Sequence, residues 1–332
     1  MNLTHSTKAL ILAAASVLVL GTSACNSSDG GSAGGGGLSV GVFLPGSIND
    51  TGFMQSGYDG FNRIKTKFGD KVDASYVEQV AAADYQQALQ RFASQNDLVI
   101  SVGGQTDADV RKVAPQFPDV KFVEIGGPSD AEPMPNLAYY DPQQAEAEFL
   151  SGAAAAKSSK SGTVGFVGGV ELPAIVNAAT AFGNGAAFVR PDVKVLAPQY
   201  VGDFNDPAKA KQAAGTAYAG GADVLGQIVN LGKQGMEQAA TESGNTLHGG
   251  PIPGDCAANP VYSGFVKTDI GTEIEYAVSS TLDGTWKAEQ VPFGVTTDKG
   301  GTAFLACSTD PAVKDAVATA TAAIVSGSIK PY

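Results

Sequence analysis

The stretch Ser39-Val40-Gly41-Val42-Phe43-Leu44, followed by a longer run from Met54 to Phe68, decides the fold. Its first part is almost continuously apolar, as expected for a parallel strand that is covered on both faces. The second part predicts an amphipathic helix. Because this strand-and-helix unit recurs along the chain, the sequence predicts an α/β fold built on parallel sheets.

The same alternation places the remaining elements. Short apolar runs predict strands at Ser39 to Leu44, Val72 to Val77, Asp97 to Val102, Lys121 to Ile125, Gly162 to Val167, Val193 to Tyr200, Ala222 to Val229 and Val261 to Val266. Longer amphipathic runs predict helices at Met54 to Phe68, Asp84 to Ser94, Ala108 to Pro115, Pro142 to Ala156, Ala174 to Phe188, Pro207 to Ala219, Lys233 to Glu242, Thr272 to Thr281 and Pro311 to Val325.

Two halves of the chain repeat one pattern. Val40-Gly41-Val42 leads to a Gly-containing helix as Val164-Gly165-Phe166 does, and Asp84 and Asp206 each stand where a helix cap is expected. The roughly 300 residues after the N-terminal segment exceed what one core usually serves. We therefore expect two similar doubly wound lobes with a break near residues 136–142. Chance similarity between segments of a single α/β chain is the alternative.

Residues 1–37 have the pattern of an export leader. Lys8 precedes an apolar run from Ala9 to Leu20, and small residues follow up to Ala24. The apolar run is too short for a bilayer, which takes about 20 residues of helix. We expect residues 1–24 to be a signal peptide and Cys25 to carry a lipid. Residues 25–37 are then a lipidated flexible linker. An ordinary signal peptide with an incidental cysteine is the alternative.

The other two cysteines form a candidate pair. Three cysteines are an odd number for an exported protein, and lipid attachment to Cys25 leaves Cys256 and Cys307. We expect them to form a disulfide. Two buried free thiols are the alternative. No Cys/His spacing typical of zinc is present, so no metal site is expected.

Charge and histidine content exclude several functions. The chain has 21 basic and 33 acidic residues and a net charge of −12, which becomes −13 when Lys8 leaves with the leader. Such a surface repels nucleic acid. His248 is the one histidine after the leader, and its Gly/Pro-rich surroundings contain no nucleophile. A Ser-His-Asp or Cys-His centre is therefore not expected.

The segments after the strands carry the candidate binding residues, because ligands bind at the carboxyl ends of strands in open parallel sheets. These segments combine glycine, amides, carboxylates and aromatic rings, which suit a neutral, hydroxylated solute that contains a ring. The candidates are Asn49, Asp50, Phe53, Gln105, Asp107, Glu171, Phe204, Asn230 and Asp255. No GxGxxG or GxxxxGK[ST] pattern occurs, and no cofactor is expected.

Several motifs resemble those of the basic membrane protein (BMP) family of ABC-transporter solute-binding lipoproteins. Asn49 to Gln55 is similar to its Asp-x-Ser-Phe-Asn-Gln turn, and Phe117 to Phe122 to its Tyr-Pro-Asp-x-Lys-Phe segment. Similarities continue in order through four more segments: Phe149 to Ala156, Val164 to Ile175, Gly220 to Val224 and Gly327 to Lys330. The resemblance covers the chain from about Leu38 to its end.

This resemblance implies a type I periplasmic-binding architecture of two Rossmann-like lobes with parallel sheets, which close about a hinge and enclose a solute between them. In well-known members that solute is a purine nucleoside. It implies that Asp50 hydrogen-bonds the ligand, Phe53 stacks on its ring, Asp255 takes ribose hydroxyls and Lys267 adds a donor. The alternatives are a helix cap for Asp50, a core position for Phe53 and a solvated side chain for Lys267. Gly226 stands where a second stacking aromatic is expected, and Phe204 is a candidate substitute.

The expected lobes comprise residues 38–138 with 263–290 and residues 139–262 with 291–332. The expected function is that of a monomeric solute receptor, anchored by lipid on the extracytoplasmic face of the cell membrane, which serves an ABC permease and ATPase and performs no catalysis. The alternatives are a surface sensor, a receptor for another aromatic or heterocyclic metabolite, and a nucleoside hydrolase with a metal on Asp107, Asp203 and Asp255.

Overall fold

The computed structural model describes residues 36–332. The predictions for the signal peptide, for Cys25 and for the linker up to residue 35 lie outside this range. The strands are β1 (Leu38–Leu44), β2 (Val72–Glu78), β3 (Leu98–Val102), β4 (Lys121–Ile125), β5 (Leu137–Asp141), β6 (Thr163–Gly168), β7 (Lys194–Val195), β8 (Gln199–Tyr200), β9 (Val224–Ile228), β10 (Thr246–Gly249), β11 (Tyr262–Thr268), β12 (Gln290–Pro292) and β13 (Thr302–Ala306). The helices are α1 (Phe53–Phe68), α2 (Tyr85–Ala93), α3 (Asp107–Val113), α4 (Gln144–Ser158), α5 (Pro173–Val189), α6 (Pro207–Ala219), α7 (Lys233–Ser243), α8 (Ile270–Leu282) and α9 (Pro311–Val325).

The first sheet has the strand order β12-β5-β4-β3-β1-β2, and all of its pairs are parallel. In β1, Val40 pairs with Ala74 of β2 on one side and with Leu98 of β3 on the other. Val40, Val42 and Phe43 are completely buried, because helices cover both faces of the sheet. The apolar run that decided the fold prediction is thus an inner strand of the first core.

The second sheet has the order β13-β11-β10-β9-β6-β7, and β8 also pairs with β6. Its pairs are parallel except that of β13, which runs antiparallel to β11. Two mostly parallel, doubly wound sheets confirm the predicted α/β class. The carboxyl ends of strands from both sheets border one cleft, which is described below.

The chain crosses between the sheets after β5, after β11 and after β12. Strand pairing therefore corrects the predicted lobe limits. Residues 139–141 and 291–292 belong to the first sheet, and the whole of β11 belongs to the second. The predicted lobe limits lie a few residues before the observed ones. Where a strand leads directly into the next element, the amino-acid composition does not change at the point where the chain passes from one sheet to the other.

Four strands were not predicted, and one predicted strand was too long. β5, β10, β12 and β13 are short and lie beside polar or Gly/Pro-rich turns, so their apolar signal is weak. The predicted strand Val193 to Tyr200 is two short strands separated around Pro198, which has no N–H for the ladder. The predicted cap at Asp206 is confirmed by its bond from the Lys209 N–H, whereas the Asp84 side chain makes no such bond.

Helices α4 and α5 pack closely through two glycines. A Cβ on Gly152 would lie 1.9 Å from the carbonyl oxygen of Phe182, and one on Gly185 would lie 1.9 Å from that of Phe149. Neither position therefore admits a side chain at this separation. The tight contact fixes α4, whose first two turns carry Gln144 to the cleft between the sheets and Glu148 to a cavity that adjoins it.

Cys256 and Cys307 are joined by a disulfide, with their Cα atoms 5.4 Å apart. The bond ties the exposed loop after β10 to the end of β13. Over residues 36–332, no helix combines the length and the apolar character that a membrane crossing requires.

Candidate functional site

A cleft of about 640 Å³, partly open to solvent, lies between the carboxyl ends of the two sheets. The segments after β1, β3 and β4 form one side, and the segments after β6, β8 and β9 form the other. The lining residues are Gly46, Asp50, Phe53, Met54, Gly103, Gly104, Gln105, Gly126, Gln144, Leu172, Ala174, Ile175, Phe204, Asn205, Ile228 and Asn230. Two aromatic rings, aliphatic side chains and several amides thus share one space, with one carboxylate.

On the first side, the turn after β1 presents Asp50 and Phe53. Phe53 opens α1 and its half-buried ring lines the cleft, so it is not confined to the core. Asp50 is 1% exposed, and its carboxylate accepts the backbone N–H groups of Gly52, Met54 and Gln55 at 2.7, 3.2 and 3.0 Å. Asp50 therefore lines the cleft and also holds the start of α1.

Burial affects the charge state of Asp50. Desolvation raises the pKa of its carboxyl above the ordinary range, while the three backbone N–H groups and the positive charge of Lys233 oppose the rise. A carboxylate has about four lone-pair sites. Since three backbone groups use most of them, Asp50 can accept a single further donor from a ligand.

On the second side, Phe204 and Asn230 stand close together. The carbonyl oxygen of Phe204 accepts the N–H groups of Asn230 at 2.9 Å and of Gly232 at 3.0 Å. Gly169 lies under the Phe204 ring, because a Cβ there would come within 2.2 Å of it. These contacts hold the second aromatic in the cleft wall, opposite the side that carries Phe53.

Two hydrogen bonds cross the cleft. The N–H of Phe53 donates to Asn230 Oδ1 at 3.4 Å, and Lys233 Nζ donates to the carbonyl oxygen of Thr51 at 2.6 Å. Lys233 is half-buried, and desolvation lowers the pKa of its ammonium group. Lys233 was not among the predicted site residues, because a lysine at the start of a helix gives no specific indication of ligand contact.

A second, smaller space, called the inner cavity below, adjoins the cleft and shares Phe53, Gln144, Ile228 and Asn230 with it. Glu148 and Gln227 also line this cavity. Both are buried, and neither was predicted. A glutamate within the small-residue run of α4 and a glutamine within β9 are the signals that could have indicated them.

Other predicted residues lie elsewhere. Asn49 is exposed beside the turn, and Glu171 is exposed next to Leu172. Asp107 accepts the hydroxyl of Tyr139 at 2.7 Å, and that hydroxyl also accepts Arg111 Nη1 at 2.7 Å. Asp107 therefore belongs to a polar network at the first sheet, whereas Gln105, two residues earlier, lines the cleft.

The structure does not bring Asp255 or Lys267 to the cleft wall. Asp255 lies on the exposed loop after β10 and accepts the N–H of Ala257 at 2.8 Å. Lys267 lies in β11 with its Nζ 3.9 Å from Asp269, which also pairs with Arg63. The position of Gly226 is likewise a core position, because a Cβ there would meet the ring of Phe182 at 2.6 Å. The second aromatic of the cleft is Phe204.

His248 is a core residue. It is completely buried, its Nδ1 hydrogen-bonds Ser151 Oγ at 2.8 Å, and desolvation lowers its pKa to about 3. The imidazole is therefore neutral at physiological pH. Among residues 36–332, no group of three histidine, cysteine or carboxylate side chains is arranged to hold a metal ion.

Two mostly parallel sheets, with a cleft between the carboxyl ends of their strands, define the fold as the type I periplasmic-binding architecture. A solute-binding protein of an ABC transporter system from Aeropyrum pernix superposes with a TM-score of 0.76 at 20% identity, covering 88% of this chain and 92% of that one. An arabinose-binding protein of Shewanella superposes with a TM-score of 0.62 at 16% identity, covering 87% and 98%. At these identities the likeness concerns the fold.

The chain belongs to the family of PnrA-like ABC transporter substrate-binding proteins, whose model matches residues 38–299. A purine-binding protein of Brucella abortus is 30% identical over 302 residues, 89% of this chain and 83% of its own. An ABC transporter nucleoside-binding protein of Lactococcus lactis is 27% identical over 246 residues, 71% of this chain and 68% of its own. The resemblance to BMP proteins is thus confirmed, and the family is one of extracytoplasmic solute-binding proteins and not of enzymes.

Proposed function

We propose that this chain binds a purine nucleoside, or a closely related ring compound, in the cleft and delivers it unaltered to an ABC importer. The observation that carries the proposal is the pair of phenylalanines, Phe53 and Phe204, that line one cleft from opposite sheets. An aromatic ring that enters between them gains a stacking face on each side. Base–aromatic stacking contributes about 1 to 3 kcal/mol per base.

The polar groups of the cleft suit the heteroatoms of such a ring. Gln105, Gln144, Asn205 and Asn230 offer amide donors and acceptors, and Asp50 can accept one further donor. A phosphate would need cationic or multiple backbone N–H partners, so an uncharged ring compound fits this lining better than a nucleotide. The names of the Brucella and Lactococcus relatives agree with this choice.

The test is titration calorimetry with inosine. Phe53→Ala and Phe204→Ala are each expected to weaken binding by about tenfold to a hundredfold, the loss of one stacking face. Phe188→Ala is the matched control, because Phe188 is an aromatic of α5 that is 36% exposed. Its affinity should equal that of the unmodified protein. Unchanged affinity in Phe53→Ala would remove this residue from the site.

We further propose that Cys25 carries the lipid anchor and that a permease and an ATPase receive the solute on the membrane. The leader pattern and the family support this proposal. Cys25→Ala should shift the mature protein from the detergent phase to the aqueous phase in a phase-partition assay. If the variant partitions like the unmodified protein, the anchor lies elsewhere.

A further inference from the structure

Two buried polar side chains of the inner cavity have side-chain atoms without a hydrogen-bond partner in the described part of the chain. Glu148 is completely buried, and within residues 36–332 neither of its carboxyl oxygens has a hydrogen-bond partner. Gln227 is 4% exposed; its Oε1 accepts the N–H of Val229 at 2.8 Å, while its Nε2 has no partner in the described part of the chain. Unsatisfied buried groups destabilise a fold. Both of these groups face the space that adjoins the proposed ligand site.

The carboxyl of Glu148 is mostly protonated at neutral pH. Desolvation raises its pKa to about 8, although the nearby hydroxyl of Ser151 opposes the rise. A protonated carboxyl offers one O–H donor and one carbonyl acceptor side by side, and Gln227 adds an N–H₂ donor. The cavity therefore presents a fixed set of donors and an acceptor beside Phe53.

We propose that Glu148 and Gln227 form a subsite for the polar edge of the ring that packs against Phe53, and that Glu148 selects an edge with an acceptor next to a donor. This inference rests on the proposed function. A purine with a carbonyl or an amino group on its six-membered ring has such an edge, since the exocyclic group and the adjacent ring nitrogen form one donor and one acceptor. Unsubstituted purine lacks the exocyclic group.

The cleft and the inner cavity share several lining residues, which supports this placement. Phe53, Gln144, Ile228 and Asn230 border both spaces, so a ring held in the cleft by Phe53 has one edge towards the inner cavity. Helix α4 brings Glu148 there, and its tight contact with α5 at Gly152 keeps the carboxyl in place. Glu148 is thus a specificity-determining residue.

The experiment compares the affinities for inosine and for purine riboside, which differ at this edge. The unmodified protein should prefer inosine by about tenfold to a hundredfold, as expected for two buried hydrogen bonds. Glu148→Leu should abolish the preference. Glu148→Gln should keep most of it, because an amide supplies a donor and an acceptor in the same places. Using the ratio of affinities separates selectivity from a general obstruction of the cavity by the larger apolar side chain.

A matched control uses a buried helix glutamate outside the cavity. Glu273 in α8 is 1% exposed, its carboxyl oxygens are without partners in the described residues, and it does not border the cavity. Glu273→Gln should leave the ratio unchanged. Melting temperatures give a second measurement: both Glu148 variants should melt higher than the unmodified protein without ligand, because each removes an unsatisfied buried acid.

Each outcome is decisive. A retained preference in Glu148→Leu would overturn the subsite and leave the proposed function standing. If Glu148→Gln loses the preference for inosine as fully as Glu148→Leu does, an ionised carboxylate accepts two donors from the ligand. That result would overturn the predicted donor and acceptor edge. A loss in Glu273→Gln as large as that in Glu148→Leu would show a general effect of buried acids and overturn the assignment. Failure of the unmodified protein to bind either nucleoside would overturn both the proposed function and this inference.

Discussion

Asp50 and Asp206 hold the starts of helices on opposite sides of the cleft, but their environments differ. Asp50 is 1% exposed and accepts three backbone N–H groups at the start of α1. Asp206 accepts the N–H of Lys209 at 3.0 Å on the surface and lies 3.4 Å from its ammonium group. Burial raises the pKa of Asp50, whereas the Lys209 contacts lower that of Asp206.

The difference indicates which aspartate belongs to the site. A partly exposed aspartate caps a helix at little desolvation cost, so Asp206 needs no role beyond α6. Asp50 performs the same structural task while its carboxylate is desolvated, and it stands on the cleft wall near Lys233. A desolvated carboxylate such as that of Asp50 is expected where a ligand, or a charged group of the opposite cleft wall, compensates the cost of its burial.

The largest effect expected at constant pH concerns the disulfide of the second sheet. Reducing the Cys256–Cys307 bond, whose cysteines are 51 residues apart, should lower the free energy of unfolding by about 4 kcal/mol. The chain-entropy argument applies to the unfolded state, so the walls of the cleft should keep their structure. Chemical denaturation with and without reductant measures the effect. An unchanged midpoint would indicate that the bond contributes nothing to stability.

The second effect is that of Asp50→Ala. The variant leaves three buried N–H groups at the start of α1 without their acceptor and removes the attraction to Lys233. The free energy of unfolding should fall by about 2 to 3 kcal/mol, and inosine binding should be lost. Urea denaturation and calorimetry measure the two consequences. Full stability with normal binding would contradict the role given to this carboxylate.

The third effect is a pH dependence from buried acids. The pKa of Glu148 is raised from 4.5 to about 8, so above pH 4.5 only the unfolded chain releases this proton and stability falls until pH 8. The slope for one such group is about 1.4 kcal/mol per pH unit. Glu124 and Glu273 act in the same direction, and His248 opposes them below pH 6.5. Stability should fall from pH 5 to pH 8, and less steeply in Glu148→Gln; an equal slope in the variant would exclude Glu148 as a source.

The smallest effect is that of Asp206→Ala. Loss of one exposed cap should lower the melting temperature by no more than about 3 °C and leave inosine affinity unchanged. Differential scanning calorimetry checks this expectation. A loss of binding comparable to that of Asp50→Ala would mean that the two aspartates do not differ as the structure indicates.

The part of the cleft that lies in turns was predictable from the positions of the strand ends. Asp50, Phe53, Gln105, Phe204 and Asn230 follow strands, and all five line the cleft. Their positions were predictable because the carboxyl ends of parallel strands meet at one edge. The same argument does not determine which way a neighbouring side chain turns.

Positions within regular elements were not predictable in this way. Glu148 lies in a helix and Gln227 in a strand, and only the packing of α4 against the second sheet brings them to the inner cavity. The roles inferred for Asp255 and Lys267 came from motif position alone, and local structure places both residues outside the cleft wall. A resemblance fixes the order of segments but not the path of a loop with a different length.

Native mass spectrometry of the mature protein with inosine tests the central claim most directly. The account predicts one intact nucleoside per chain, released unaltered on activation, and a much smaller bound fraction in the variant Phe53→Ala at the same inosine concentration. A complex that contains only the free base, or the absence of any complex with the unmodified protein, would contradict the account.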